Sequence, residues 1–134
     1  MSFNSTLYDM VTRIRNGQKA HKLKISLKFS VKCINILKVL QEEGYIRGFS
    51  KTETGLSVLL KYTNNKPVIS NIRYIPDTFS KKYLSKNDIE KISMNLKGSN
   101  KGLGLFIIST SKGILSDYKC LENNIGGCLL LQIT

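Results

Sequence analysis

The chain has 134 residues, 41% of them hydrophobic, and carries 21 Lys and Arg against 9 Asp and Glu, a net charge of +12. That length fits one compact domain or two small ones, and the apolar fraction excludes a disordered polyelectrolyte. The charge points to a polyanionic partner, most simply nucleic acid. No long amphipathic basic helix or lipidation signal argues for a membrane surface, and no apolar run is long enough to span a bilayer.

Ser5 is placed to cap a first helix. Leu7, Met10, Val11 and Ile14 come next at helical spacing, and Gly17 is expected to end it. Arg13, Asn16 and Lys19 lie off that stripe and Arg15 beside it. They form either an ordinary solvated face or one turned toward RNA, and spacing alone does not choose. Residues 24–29 alternate polar and apolar, the pattern of a half-buried strand. Ser30 then caps a second helix over 31–43. Its apolar face is Ile34, Leu37 and Leu40, widened by Cys33, Ile36 and Val39, and Gly44 is its stop. A hairpin comes after it, with strands over 46–51 and 56–62 and a turn at Glu53-Thr54-Gly55. Asn64-Asn65-Lys66-Pro67 reads as a linker. It divides the chain into an N-terminal α-β-α-β-β subdomain, 1–66, and a C-terminal subdomain, 67–134. The first part holds 12 basic and 4 acidic residues and the second 9 and 5, so both are positive and both are expected to share the binding face.

The second part is read as mostly β with short helices, which makes the fold class α+β. Residues 68–75 alternate as a strand, and Pro76-Asp77-Thr78 turns. Tyr83 stands after Lys81-Lys82 and is either core or an aromatic among cations on which a base can stack. Ser85 with Asp88 marks a helix start, and Ile89 and Ile92 give a short stripe. Gly98 to Gly104 is a flexible lead into Leu105-Phe106-Ile107-Ile108, a continuous apolar run that suits a strand buried on both faces. Ser109, Thr110, Ser111, Lys112 and Gly113 come next. They are either plain turn chemistry or small polar groups and a cation delivered to a phosphate or a base edge. A short helix capped at Ser116-Asp117, a turn at Ile125-Gly126-Gly127 and a closing strand over 128–133 complete the chain.

Catalysis finds no support. Gly102-x-Gly104 lacks the third glycine of a nucleotide loop and precedes its strand, no P-loop exists, and the carboxylates are few and scattered. Cys33, Cys120 and Cys128 form no CxxC or His–Cys cluster, so no metal or cofactor is expected, and buried reduced thiols are. His21, among Lys19, Lys22 and Lys24, reads as a solvated or RNA-facing loop residue.

Four signatures together resemble small-subunit ribosomal protein eight of the bacterial and organellar type. They are Asp9-Met10-Val11-Thr12-Arg13-Ile14-Arg15-Asn16-Gly17, Val39-Leu40-Gln41-Glu42-Glu43-Gly44-Tyr45-Ile46, the stretch from Gly102-Leu103-Gly104 through Ser109 to Asp117, and Gly126-Gly127. They fall in the family's order and cover nearly the whole chain. The resemblance implies a two-domain α+β protein that binds the central domain of small-subunit rRNA beside neighbouring ribosomal proteins and joins assembly early. It also implies RNA contacts at Ser109, Thr110, Ser111, Lys112 and Gly113, at Tyr83, at Arg13, Arg15, Asn16 and Ser30, and around Gly126 and Gly127, with Lys19 on the same helix. Two departures stand out. Cys128 replaces the family's Glu after the paired glycines, and Ile75-Pro76-Asp77-Thr78-Phe79-Ser80 replaces an Arg/Pro/Gly-rich segment. Lys far outnumbers Arg, Ile and Asn are frequent, and Ala20 is the only alanine. Such AT-rich codon usage, with an N-terminus that reads as neither signal nor transit peptide, favours a mitochondrial protein, with plastid and bacterial cytoplasm as alternatives.

Overall fold

Leu7, Met10, Val11 and Ile14 recur every three or four residues, and the helix they make, α1 (Phe3–Lys19), buries all four. The computed structural model describes residues 3–75, 83–99 and 104–134. α1 starts two residues before Ser5, so Ser5 does not cap it. Nor does Gly17 end it. A Cβ there would lie 2.6 Å from Ile25 Cγ2 and 3.0 Å from Leu60 Cδ1, so this glycine lets the helix seat closely on the sheet. The stop is His21 at φ 55, where His21 N donates to Gln18 O and Lys22 N to Gly17 O. The His21 ring stacks on Tyr62 with centroids 5.3 Å apart.

The sheet beneath α1 has the order β1-β3-β2, all antiparallel, from β1 (Lys24–Leu27), β2 (Ile46–Thr52) and β3 (Gly55–Leu60). Along β1, Ile25 and Leu27 point inward and Lys24 and Ser26 outward as expected, but the strand ends at Leu27 rather than at 29 and Phe29 is exposed. Between β1 and β2 runs α2 (Val31–Glu42). Its buried residues are Cys33, Ile36, Leu37, Val39 and Leu40, so the face is centred one step away from Ile34, which is only half-buried. Each fully buried Leu or Ile of this kind contributes about 1.5–3 kcal/mol relative to exposure.

Asn64-Asn65 is not a linker. The pair forms the turn of a small hairpin between β4 (Tyr62–Thr63) and β5 (Lys66–Pro67), with φ of 53 and 64. Asn tolerates that left-handed backbone, which two-residue hairpin turns demand. Residues 68–72 stay tied to the first unit. Val68 N donates to Lys61 O, Ile69 N to Gln18 Oε1, and Arg15 Nη2 to Ile72 O at 2.6 Å. With the Val68 and Ile69 amides so engaged, the chain does not enter a strand there, and the expected 68–75 strand shortens to β6 (Ile72–Tyr74). The chain divides by its contacts into Met1–Ile72 and Arg73–Thr134, six residues beyond the expected boundary at 66/67.

The second sheet has the order β6-β10-β8-β9, from β8 (Leu105–Thr110), β9 (Gly113–Ser116) and β10 (Gly127–Ile133), and β7 (Tyr83–Leu84) also pairs with β10. Leu105, Phe106, Ile107 and Ile108 are all buried, so β8 is covered on both faces. Phe106 and Ile108 pack with Ile89 and Cys120 from α3 (Lys86–Ser99) and α4 (Asp117–Glu122). α3 opens with a reciprocal cap, Ser85 N to Asp88 Oδ2 and Asp88 N to Ser85 Oγ. It runs through Gly98 and Ser99, which removes both from the expected loop, and at 14 residues it is no short helix. α4 is capped by Ser116, whose Oγ accepts from Lys119 N. The expected turn at Pro76-Asp77-Thr78, and Lys81, Lys82, Gly102 and Leu103, lie outside the described residues. Among the described residues no helix is long and apolar enough to cross a membrane.

Candidate nucleic-acid interface

β8 and β9 form a hairpin in which Thr110 pairs with Gly113, leaving Ser111 and Lys112 as its two-residue loop. The Thr110 hydroxyl donates to Gly113 O at 2.8 Å and accepts from Lys112 N at 3.1 Å. Thr110 is therefore turn chemistry. Its oxygen closes the loop and so fixes the two exposed tip residues, Ser111 and Lys112. Gly113 has φ +109 and open space where a Cβ would stand, so backbone conformation rather than crowding selects glycine.

One residue before Thr110, at the same end of β8, Ser109 lies opposite Cys128 of β10, which has Tyr83 on its other side. Directly paired residues of antiparallel strands share a face. Tyr83, Cys128 and Ser109 thus make one row across three strands. Tyr83 is 68% exposed, which rejects the core alternative for this residue. Cys128 is exposed as well, against the expectation of buried thiols, whereas Cys33 and Cys120 are buried. Cys120 is pushed up to about 11 by burial and then by the Asp117 carboxylate.

Gly126 and Gly127 hold the row together. A Cβ at Gly126 would sit 2.2 Å from Leu84 O, and one at Gly127 would sit 2.4 Å from Ser109 O. The lack of side chains lets β7 and β8 close on the start of β10. Behind the hairpin, Asp117 is fully buried and Oδ2 accepts from the Ser93 hydroxyl. Sequence reasoning makes Asp117 a cap residue and misses Ser93. The available signal is a polar residue on α3's apolar stripe, four positions after Ile89. Among the described residues no group of acidic, His or Cys side chains could hold a metal ion.

The ribosomal protein S8 family matches residues 5–134. The chain belongs to that family. It is 39% identical to the small ribosomal subunit protein uS8 of Beijerinckia indica subsp. indica, over 99% of each chain. It is 38% identical to uS8 of Nitrosomonas europaea over the full length of both. It is 40% identical to the small ribosomal subunit protein uS8m of Acanthamoeba castellanii, over 96% of this chain and 98% of the relative. As a member of the ribosomal protein S8 family it is a structural protein and not an enzyme.

In the first unit of this S8-family chain, the sequence-predicted residues have unequal standing. Arg13 is exposed, paired with Asp9 at 2.9 Å, and its Nη1 donates to Ser26 O at 3.3 Å. Asn16 and Lys19 are exposed on α1. Arg15 is half-buried and spends a guanidinium nitrogen on Ile72 O, a bond that holds the chain's own backbone. Ser30 stands at the N-cap of α2 in extended backbone, but its hydroxyl makes no cap bond. It bonds instead with Cys33, partly opposing the burial that pushes that thiol up.

Proposed function

We propose that the chain is a structural constituent of the small ribosomal subunit that binds the central domain of its rRNA and supports subunit assembly. The observation that carries the reading is the row Tyr83–Cys128–Ser109 beside the exposed Ser111-Lys112 tip. The phenol offers a flat face for one base. Ser109 and Ser111 offer hydroxyls to phosphates and 2′-hydroxyls, and Lys112 a salt-sensitive charge. Thr110 and Gly113 set the loop, while Gly126 and Gly127 allow the backbones to approach. Arg13, Asn16, Lys19 and Ser30 are a contact set on the first unit, and Arg15 supports it from behind. Neighbouring small-subunit proteins complete the partners, and no cofactor enters.

The compartment in this reading is the mitochondrion. Its support is the 40% identity to a relative named uS8m and the AT-rich codon preferences. The decisive assay is binding to a transcript of the central-domain rRNA helix at several salt concentrations. Tight binding that a scrambled transcript does not share supports the reading. Equal binding to both, lost at moderate salt, leaves only a basic protein. Co-sedimentation with mitochondrial small subunits rather than with those of another compartment tests the localisation.

A further inference from the structure

α1 and the edge strand β1 bound a cleft of about 590 Å³ in the first unit. Arg13, Lys22 and Lys24 line it with Asn16 and Ser26, and among the described residues no carboxylate does. Gly17 brings the helix onto the strand here and so sets where the two walls diverge. The cleft's polar parts are held in place. Arg13 is anchored on one side by Asp9 and on the other by Ser26 O. The Lys22 carbonyl accepts from Tyr62 Oη at 2.6 Å, which fixes the backbone beneath that lysine. Lys24 pairs across the sheet with Leu59, on the outward face of β1. Neither Lys22 nor Lys24 is paired with a described carboxylate.

We propose that this cleft seats a backbone phosphate of an RNA strand, with Lys22, Lys24 and Ser26 as contacts in addition to the α1 residues. The proposal rests on the RNA-binding reading and adds residues to it. Every polar side chain on the walls can donate a hydrogen bond, and three carry a positive charge. A phosphodiester has acceptor oxygens and a negative charge, so it complements walls that are lined by donors and positively charged. The lysines are exposed, so they can reach a ligand that stays largely in solvent, as a nucleic-acid backbone does. A cleft for a small apolar ligand would instead be lined mostly by apolar side chains.

The test is the salt dependence of binding to the central-domain transcript, for the full chain and for Lys22→Gln/Lys24→Gln. A lost phosphate contact lowers the log–log slope by roughly 0.7–0.9, and the cleft seats one phosphate, so the double variant's slope falls by roughly 0.7–0.9. Lys38→Gln/Lys66→Gln removes the same charge from exposed positions of the same unit, away from the cleft, and leaves the slope close to wild type. Equal slope losses for the two pairs would overturn the cleft, because net charge alone would then explain both. So would an unchanged slope for Lys22→Gln/Lys24→Gln, or a poly-glutamate peptide that competes as well as RNA of equal length. The slopes are read equally on a scrambled transcript, since phosphate contacts are independent of sequence. Loss of specificity there sinks the central-domain reading, and the slope comparison still decides the cleft.

Discussion

The Ser93 hydroxyl donates to Asp117 Oδ2 at 2.5 Å, and both side chains are buried in the second unit. The bond joins α3 to the first turn of α4, directly after β9, while Oδ1 faces Phe106 N on β8 at 3.5 Å. One carboxylate thus ties together the elements that hold the candidate hairpin. Asp117→Ala would take this acceptor from a buried hydroxyl and weaken the support of a backbone amide, and a buried polar group that loses a partner costs about 1–3 kcal/mol. A loss on the order of 2–5 kcal/mol is expected, read as a lower urea midpoint. Asp117→Asn keeps an acceptor and costs less. A midpoint for Asp117→Ala equal to wild type would remove the carboxylate from this role.

Tyr83 has the opposite character, being 68% exposed on a two-residue strand. Tyr83→Ala is expected to leave the unfolding midpoint nearly unchanged and to weaken binding to the central-domain transcript by about 1–3 kcal/mol, the scale of one lost stacking contact. Tyr83→Phe keeps the ring face and most of the affinity. If the alanine variant binds as wild type does, or if Phe and Ala lose equally, stacking is not what Tyr83 contributes.

Periodicity makes the helices and most strands legible, because one-sided burial leaves an apolar stripe or an alternation. The stripe of α1, the buried run of β8 and the Ser116 cap all need only local pattern. Local pattern fails where a distant partner decides. Gly17 has the look of a helix stop, but it serves packing against Ile25 and Leu60, and His21 makes the stop. Asn64-Asn65 has the look of a linker, yet β5 returns to β4, Gln18 holds the amide of Ile69 and Arg15 holds the carbonyl of Ile72. The site is half legible for the same reason. The hydroxyl run is visible in the sequence. The row that sets Cys128 between Tyr83 and Ser109 depends on strand register, which no neighbouring residue announces.

The three cysteines should separate by reactivity. Cys128 is exposed, and Cys33 and Cys120 are buried with their thiols pushed upward. A thiol reacts as its thiolate and only where reagent can reach it. Native protein at pH 8 should therefore take up one equivalent of iodoacetamide quickly, and mass mapping should place it on Cys128, with the other two labelled only in denaturant. Because Cys128 stands between Tyr83 and Ser109, a bulky maleimide there should also depress RNA binding, and Cys128→Ser should abolish that sensitivity. Fast native labelling of Cys33 or Cys120 would contradict the packing.

Cys120 also gives the fold an alkaline limit. Its thiol is pushed up to about 11 from an ordinary 9.0, first by burial and then by Asp117. Below pH 9 the thiol keeps its proton in both folded and unfolded chains, and the group adds no pH dependence. Between pH 9 and about 11 the unfolded chain gives up that proton while the folded chain retains it. Ionisation then favours the unfolded state, so stability falls as pH rises through this window and levels off above it. A difference of about two pKa units corresponds to a loss of about 2–3 kcal/mol. The measurement is the urea midpoint of wild type and Cys120→Ala from pH 8 to 11. The alanine variant loses packing and begins lower at pH 8, but its curve should slope less across the window. Parallel curves would show that Cys120 does not set the alkaline limit.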